Sequence, residues 1–306
     1  MSETLSGRVA LVTGGGRGIG RAIAGALHQA GAAVVIADNG TSIAGTGADP
    51  TVAEALAKTL GDRAAAFTES IASPSAAQAA VDFTVSRLGG LDILVNNAAI
   101  LRDAFVFKAD PGDWEAVLRT NLFAPFYLTA AATPVMRDQA KAKRGGGAWG
   151  RIVNLVSTAG FYGNYGQAAY AAAKAGLTGL TRVTALDMAR SHVTCNAIAP
   201  FAATRVTESI KPQNPAQQAY KDTAMKIPAL PVADLAVYLA SDAGAKITGQ
   251  LIGVRGREVL ILSQPRPVAA AVAATPDGIG AALAALAPHF VSLETDLEAF
   301  ANRPVL

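Results

Sequence analysis

Cysteine, charge and long apolar runs are all scarce in this chain of 306 residues. The one cysteine, Cys195, excludes a disulfide within the chain and a metal site built on several thiolates. It lies in an apolar, strand-like segment, which favours a buried and inert thiol. The histidines, His28, His192 and His289, are far apart and lack the spacing of metal ligands, so no metal site is predicted.

Charged residues make up 16% of the chain, and the formal net charge is only +3. No basic run is longer than residues 141–144, so we predict no nucleic-acid partner. The chain starts without a basic leader and apolar core, and Gly, Asp or Arg interrupts every apolar run before the roughly 18 residues of a membrane span. We therefore expect a cytoplasmic protein with no membrane partner.

Hydrophobic residues make up 51% of the chain, enough for a large core. Short apolar runs alternate with longer alanine-rich stretches, which predicts an α/β fold with helices on both faces of a parallel sheet. Right-handed crossovers make this a Rossmann-type, doubly wound sheet. The predicted strands are 9–13, 33–37, 65–67, 93–96, 152–156, 193–198 and 251–254, and the predicted helices are 20–30, 53–60, 75–88, 113–137, 167–190 and 231–241.

The chain continues well beyond the last predicted strand. Pro276 after Thr275, and a capping box from Thr295 to Glu298, predict two short helices there. This stretch is too short for an independent domain. We therefore predict one domain over residues 1–259 and a C-terminal extension over residues 260–306 that packs on it.

A glycine-rich segment follows the first predicted strand and opens the first predicted helix. Its glycines Gly14, Gly16, Gly18 and Gly20 permit a tight turn and let a pyrophosphate approach the free N–H groups of the helix N-terminus. An ordinary glycine-rich turn is the alternative. The position between strand and helix in the first βα unit favours a dinucleotide site.

Asp38 ends the second predicted strand. A carboxylate there accepts hydrogen bonds from the adenosine ribose hydroxyls and repels a 2′-phosphate, which favours NAD over NADP. Arg17 is the opposing signal, because a guanidinium in the glycine segment can reach a 2′-phosphate. A role for Asp38 as a loop-capping residue is the structural alternative.

Ser157, Tyr170 and Lys174 form a second constellation. Ser157 follows a predicted strand, at the carboxyl edge where open α/β sheets bind ligands, and Lys174 lies one helical turn beyond Tyr170. A tyrosine hydroxyl has a pKa of about 10, and a nearby ammonium favours its phenolate form. We predict that Tyr170 transfers the proton while hydride moves at the adjacent carbon, with Ser157 holding the substrate oxygen.

The glycine segment, the Asn-Asn-Ala-Ala run at 96–99, Asn121, Ser157 and the Tyr170-x-x-x-Lys174 pair together resemble the short-chain dehydrogenase/reductase family, over about residues 5–254. The resemblance implies an NAD-dependent oxidoreductase in which Asn121 completes a proton relay. It also implies a homodimer or homotetramer that packs through the helices at 113–137 and 167–190. The implied catalytic residues are Asn121, Ser157, Tyr170 and Lys174, and the implied cofactor contacts are Gly14, Gly16, Arg17, Gly18, Ile19, Gly20, Asp38, Asn97, Ala98, Tyr170, Lys174 and Pro200.

The long loop after Asp38, residues 162–170 and Thr204-Arg205 resemble the (3R)-hydroxyacyl-CoA dehydrogenase unit of multifunctional enzymes and related bacterial hydroxysteroid dehydrogenases. The implied substrate is a small molecule, a secondary alcohol on an acyl-CoA or a hydrophobic ring system. One alternative is an NADPH-dependent reductase of 3-oxoacyl thioesters or small ketones. Another is a nucleotide-binding subunit without catalysis, which the intact constellation argues against.

Two features of the substrate side stay open at the level of sequence. Phe161, Tyr162, Tyr165 and Phe201 are equally compatible with an apolar substrate pocket and with plain packing. Residues 204–226 have weak periodicity, so they form either a mobile lid over the substrate or a structural connection.

Overall fold

One sheet forms the centre of the computed structural model, which describes residues 4–142, 144, 149–212, 214–273, 275–301, 303 and 305. Its strands are β1 (Val9–Thr13), β2 (Ala33–Ala37), β3 (Ala64–Phe67), β4 (Ile93–Asn96), β5 (Gly150–Leu155), β6 (Val193–Phe201), β7 (Leu251–Arg255) and β8 (Glu258–Ile261). Their order is β3-β2-β1-β4-β5-β6-β7-β8. Strands β1 to β7 are parallel, and only β8 is antiparallel to its neighbour.

Helices cover both faces of the sheet, which confirms the predicted Rossmann-type doubly wound fold. The chain order reverses between β1 and β4, and ligands of such sheets bind at the carboxyl edge beside that point. The helices are α1 (Gly18–Gln29), α2 (Thr51–Leu60), α3 (Pro74–Leu88), α4 (Pro111–Leu118), α5 (Ala124–Lys141), α6 (Ala168–Asp187), α7 (Arg205–Ser209), α8 (Pro215–Ala224), α9 (Leu230–Ala240), α10 (Pro276–Leu286) and α11 (Asp296–Ala301).

The core lies in two layers because side chains along a strand alternate between the faces of the sheet. Val12 and Ile36 of β1 and β2 point to the layer under α1 and α9. Their chain neighbours Leu11 and Val35 point to the layer under α3 and α5. Strands buried on both faces read as unbroken apolar runs, as β1 and β2 do.

The predicted helical stretch at 113–137 is present, but it is not one regular α-helix. Between α4 and α5 the chain forms a π-helical turn, Arg119–Phe123, with wider i to i+5 bonding. Pro125, in the first turn of α5, lacks the N–H that a continuous α-helix needs. The turn leaves Asn121 fully buried beneath the carboxyl edge of the sheet.

The end of the sheet also differs from the prediction. Strand β6 continues past the predicted end at Ile198 to Phe201, and β8 was not predicted. Gly256, with a φ of 60°, allows the turn that folds β8 back on β7. Val259 and Ile261 of this edge strand are exposed while Glu258 and Leu260 are half-buried, so its burial alternates, unlike that of β1 and β2.

The C-terminal extension has two contrasting parts. Residues 263–294, which include α10, carry several exposed apolar side chains, such as Phe290 and Val291. Helix α11 instead packs on the sheet edge through Phe300. The boundary predicted at residues 259 and 260 falls inside β8.

Three remaining sequence predictions concern other parts of the chain. Of the basic run at 141–144, residue 143 lies outside the described residues. Within 204–226, the structure forms the helices α7 and α8. Among the described residues, no helix has the length and hydropathy needed to cross a membrane.

Candidate active site

Two clefts meet at Tyr170, at the carboxyl edge of the sheet. The first, the glycine-loop cleft, has a volume of about 290 Å³ and runs from the glycine segment past β2 and β4 to Tyr170 and Lys174. The second, the aromatic cleft, has a volume of about 620 Å³ and extends from Tyr170 towards the C-terminal extension. The aromatic cleft is lined by residues that include Phe105, Ser157, Tyr165, Phe201, Tyr220 and Asp296.

The glycine segment leaves the N-terminus of α1 open. Helix α1 begins at Gly18, and its N-cap residue, Arg17, makes no capping hydrogen bond with its side chain. Gly14 and Gly20 are required by close packing, because a Cβ on Gly20 would lie 2.1 Å from the Gly14 carbonyl oxygen. The first N–H groups of a helix lack intrahelical partners, so the cleft presents donors to an anionic group.

Asp38 is held at the end of β2 by two main-chain donors. Its Oδ2 accepts the N–H of Gly16 at 3.0 Å, and its Oδ1 accepts the N–H of Gly40 at 2.8 Å. Arg17 reaches over the same loop, where its guanidinium donates to the carbonyls of Gly40 and Thr41. A fixed carboxylate therefore faces the cleft, while the guanidinium groups of Arg17 and Arg205, which also line it, are bonded to loop carbonyls.

Asn97 and Asn121 are both committed to the main chain. The Asn97 Nδ2 donates to the Thr13 carbonyl at 2.9 Å, which ties β4 to the glycine segment. The Asn121 amide exchanges two bonds of 2.9 Å with the main chain of Ile100. Pro125 has no N–H to give to the Asn121 carbonyl, so the ordinary helical bond to that oxygen is absent. A relay through Asn121 would use this carbonyl rather than the side chain.

Tyr170 lies near the start of α6, beside Ser157 at the end of β5. Loss of solvation raises the pKa of Tyr170 to about 12, and the hydrogen bond from Ser157 acts in the opposite direction. Carboxylates of Asp296 and Asp103 raise the pKa further by opposing a phenolate. The Ser157 Oγ also accepts the N–H of Ala159 at 3.2 Å, which fixes the hydroxyl.

Lys174 extends beneath Tyr170 and is almost fully buried. Its Nζ donates to the Leu155 carbonyl at 2.6 Å and lies 5.6 Å from the centre of the Tyr170 ring. Burial lowers the pKa of Lys174 to about 8, because the interior disfavours the charged form. The pair therefore shares a face of α6, as the one-turn spacing predicts.

The predicted residues converge on this region, with three exceptions. Gly16 and Gly20 pack behind the glycine-loop cleft rather than line it, and Asn121 lies beneath both clefts. Sequence reasoning missed Ile43, which lines both clefts, and Tyr220 and Asp296 of the aromatic cleft. The predicted contacts that line the glycine-loop cleft are Gly14, Arg17, Gly18, Ile19, Asp38, Asn97, Ala98, Tyr170, Lys174 and Pro200.

The four aromatic residues left open by the sequence divide into two groups. Tyr165 and Phe201 line the aromatic cleft. Tyr162 instead packs edge-on against Phe300 of α11, with ring centres 5.9 Å apart, and Phe161 is partly exposed. Both interpretations of these residues therefore apply, each to different members.

Comparisons with known proteins agree with this geometry. A family model described as short chain dehydrogenase matches residues 8–217. The hydroxyacyl-CoA dehydrogenase ChsB1 of Mycobacterium tuberculosis is 39% identical over 263 residues, which are 85% of this chain and 81% of that protein. The 3-oxoacyl-(acyl-carrier-protein) reductase FabG of Aquifex aeolicus is 38% identical over 263 residues, covering 84% and 99%. A crystal structure of a short chain dehydrogenase from Mycobacterium avium matches with a TM-score of 0.80 at 33% identity, covering 95% of this chain and 98% of that one.

Proposed function

The chain belongs to the short chain dehydrogenase family, and from that premise we propose that it oxidises a secondary alcohol, with NAD as the hydride acceptor. The observation that carries the proposal is the meeting of the two clefts at Tyr170, with Ser157 hydrogen-bonded to its hydroxyl and the Lys174 Nζ 5.6 Å from its ring centre. A hydroxyl placed there has a proton acceptor on one side and a nucleotide site on the other.

The residues of the chain account for the proton chemistry. Ser157 would orient the alcohol oxygen, and Tyr170 would take its proton as the carbon–hydrogen bond breaks. The ammonium of Lys174, 5.6 Å from the ring centre, would favour the phenolate, whereas burial disfavours both charged forms. When bound, NAD supplies the hydride acceptor and a positive ring that further favours the phenolate.

NAD rather than NADP is proposed because of Asp38. Its carboxylate lines the glycine-loop cleft and keeps acceptor capacity for ribose hydroxyls beyond its bonds to Gly16 and Gly40. A 2′-phosphate at that position would face a like charge. Arg17, the opposing signal, is bonded to loop carbonyls.

The proposed substrate is a 3-hydroxyacyl-CoA or a steroid-like alcohol. The size and the aromatic lining of the second cleft suit a large apolar substrate, and the relative named hydroxyacyl-CoA dehydrogenase supports the first choice. The alternative, NADPH-dependent reduction of 3-oxoacyl thioesters, is favoured by the similarity to the relative named as a reductase of that class. Turnover with NAD and with NADP on the same thioester separates the two.

We further propose a cytoplasmic homodimer or homotetramer. Helices α5 and α6 carry exposed apolar side chains, among them Phe126, Val183 and Leu186. Val183 and Leu186, three positions apart, share a face of α6, and exposed apolar side chains grouped on one face are typical of an interaction surface. Light scattering of the purified protein measures the assembly directly.

The decisive experiment is the substitution Tyr170→Phe, which removes only the hydroxyl. We expect NAD-dependent oxidation of a 3-hydroxyacyl-CoA to fall by more than the ~10²–10⁴-fold typical of a general acid–base group. NAD binding, measured by calorimetry, should change little because the ring remains. Tyr165→Phe is the matched control in the same cleft, and equal turnover in wild type and Tyr170→Phe would exclude the assignment.

A further inference from the structure

The C-terminal extension places a carboxyl group in the aromatic cleft. Asp296, the first residue of α11, lines the cleft although it is separated from Tyr170 by most of the second half of the chain. Only 6% of Asp296 is exposed. None of the motifs around the glycine segment, Ser157 or Tyr170 accounts for an acid at this position.

Several independent contacts fix the position of Asp296. A capping box opens α11, since Thr295 Oγ1 accepts the Glu298 N–H at 3.2 Å and Glu298 accepts the Thr295 N–H at 3.0 Å. The Phe300 ring packs on Phe201 of β6 with centres 4.7 Å apart. The Asp296 N–H donates to the Gly163 carbonyl at 3.2 Å. These contacts therefore hold the Asp296 carboxyl group in a fixed position.

The two carboxyl oxygens of Asp296 have different surroundings. Oδ2 accepts the Thr158 hydroxyl at 2.8 Å, next to Ser157. Oδ1 is buried and accepts no hydrogen bond of good geometry among the described residues, although the Asn164 side chain lies close enough to lower the pKa of the carboxyl group. Burial raises the pKa of Asp296 to about 6, so the group is a carboxylate at neutral pH and an acceptor only. A buried acceptor without a partner is costly, and native proteins rarely keep one without a reason.

Asp296 lies near the hydroxyl group of Tyr170, where the proposed reaction takes place. Its charge raises the pKa of Tyr170 and of Tyr220, so it lies close enough to act on both hydroxyl groups. Asn164, Lys211 and Tyr220 line the same cleft, but none of them makes a hydrogen bond of good geometry to Oδ1. A molecule bound in the cleft can supply that donor.

We propose that Asp296 is a specificity-determining residue whose free oxygen accepts a hydrogen bond from an O–H or N–H group of the substrate, a few bonds from the reacting carbon. This inference rests on the proposed alcohol oxidation. The donor has two chemical sources, a second hydroxyl on a ring alcohol or an amide N–H in the thioester arm of an acyl-CoA. Alcohols without such a donor leave the carboxylate unpaired and are poor substrates.

The test compares matched substrates in wild type, Asp296→Asn and Asp296→Ala. One pair is 3-hydroxybutyryl-CoA and ethyl 3-hydroxybutyrate, which lacks the amide. The other is a cyclohexanediol and its monomethyl ether. We expect the kcat/KM preference for the donor-bearing member to fall about tenfold in Asp296→Asn, which keeps a neutral acceptor, and about 100-fold in Asp296→Ala. The pair that responds identifies the source of the donor.

Controls separate recognition from structure. Glu294→Gln removes an exposed carboxylate from the same segment and should leave every preference unchanged. Asp296→Asn should keep or raise the melting temperature at neutral pH, whereas a purely structural acid would leave the variant less stable. An unchanged preference in both Asp296 variants, with wild-type oxidation intact, overturns the inference and leaves the proposed function standing.

Failure of the proposed function gives a different result, in which wild type oxidises neither pair with NAD. Calorimetric binding of the same four compounds then decides the inference. A wild-type affinity preference for the donor-bearing members that Asp296→Asn weakens supports recognition by Asp296. Equal affinities in wild type and variant reject it.

Discussion

The two clefts on either side of Tyr170 are built in opposite ways. The glycine-loop cleft is shaped by tight glycine packing between β1 and α1, and main-chain donors hold the Asp38 carboxylate in it. The aromatic cleft presents side chains from segments distant in sequence, including the extension that carries Asp296. On the proposed function, nucleotide recognition would depend on local backbone geometry, whereas substrate recognition would depend on how remote segments dock.

The largest expected effect is a loss of nucleotide binding in the glycine-loop cleft, with the aromatic cleft left intact. In Gly20→Ala, the new Cβ would lie 2.1 Å from the Gly14 carbonyl oxygen, so the glycine segment must move. We expect NAD affinity by calorimetry to fall by about 1000-fold. Gly25→Ala in the same helix meets nothing within 4 Å and should bind NAD normally. Normal NAD binding by Gly20→Ala would show that the glycine-loop cleft tolerates a shift of its backbone.

A smaller effect is expected when the Asp38 carboxylate of the glycine-loop cleft is removed. Asp38→Asn removes the carboxylate that faces a 2′-phosphate, so the ratio of NADP to NAD efficiency should rise by about 100-fold, in line with the repulsion of charges a few ångströms apart. Steady-state kinetics with both cofactors measure the ratio. Asp49→Asn, which alters only the exposed acid that accepts the Thr51 N–H, should leave it unchanged. A constant ratio in Asp38→Asn would place cofactor choice elsewhere.

In the aromatic cleft, loosening of helix α11 should weaken substrate binding. Phe300→Ala removes a buried ring that contacts Phe201 and Tyr162, and truncations of this kind cost about 3 kcal/mol or more of packing. We expect KM for the preferred alcohol to rise about tenfold while NAD affinity is kept. Phe290→Ala, an exposed ring of the same extension, is the control. Equal losses of NAD and alcohol binding would show that the glycine-loop cleft and the aromatic cleft do not bind their ligands independently.

The smallest effect is on pH-dependent stability. Asp296 has a folded-state pKa of about 6, above its ordinary 3.8, so its contribution to stability is present at acidic pH and is lost as pH rises through 6. Asp296→Asn removes this penalty, and the free energy of unfolding at neutral pH should rise by about 1–3 kcal/mol. The gain should vanish below about pH 4, because the carboxyl group is then protonated in both states. The control Glu294→Gln keeps Asp296, so its unfolding free energy in denaturant titrations should follow the wild-type pH profile.

The residues of the glycine-loop cleft were easier to predict from the sequence than those of the aromatic cleft, for a physical reason. Apolar runs such as β1 and β2 report burial on both faces, and the spacing of Tyr170 and Lys174 fixes a shared helix face. The bond from Thr158 to Asp296 joins residues 138 positions apart, and no local pattern reports it. The capping box at Thr295 predicted the start of α11, but not where that helix packs. The π-helical turn likewise depended on Pro125, within an otherwise continuous helical pattern.

The docking of α11 also has a consequence for biosynthesis. Chains emerge from the ribosome N-terminal end first, at about 5–20 residues per second. Every strand of the sheet precedes α11, so the sheet and the glycine segment can form before Asp296 has been translated. A nascent chain could form the glycine-loop cleft before the aromatic cleft is complete. On the proposed function, translation order would separate the ability to bind a cofactor from the ability to select a substrate.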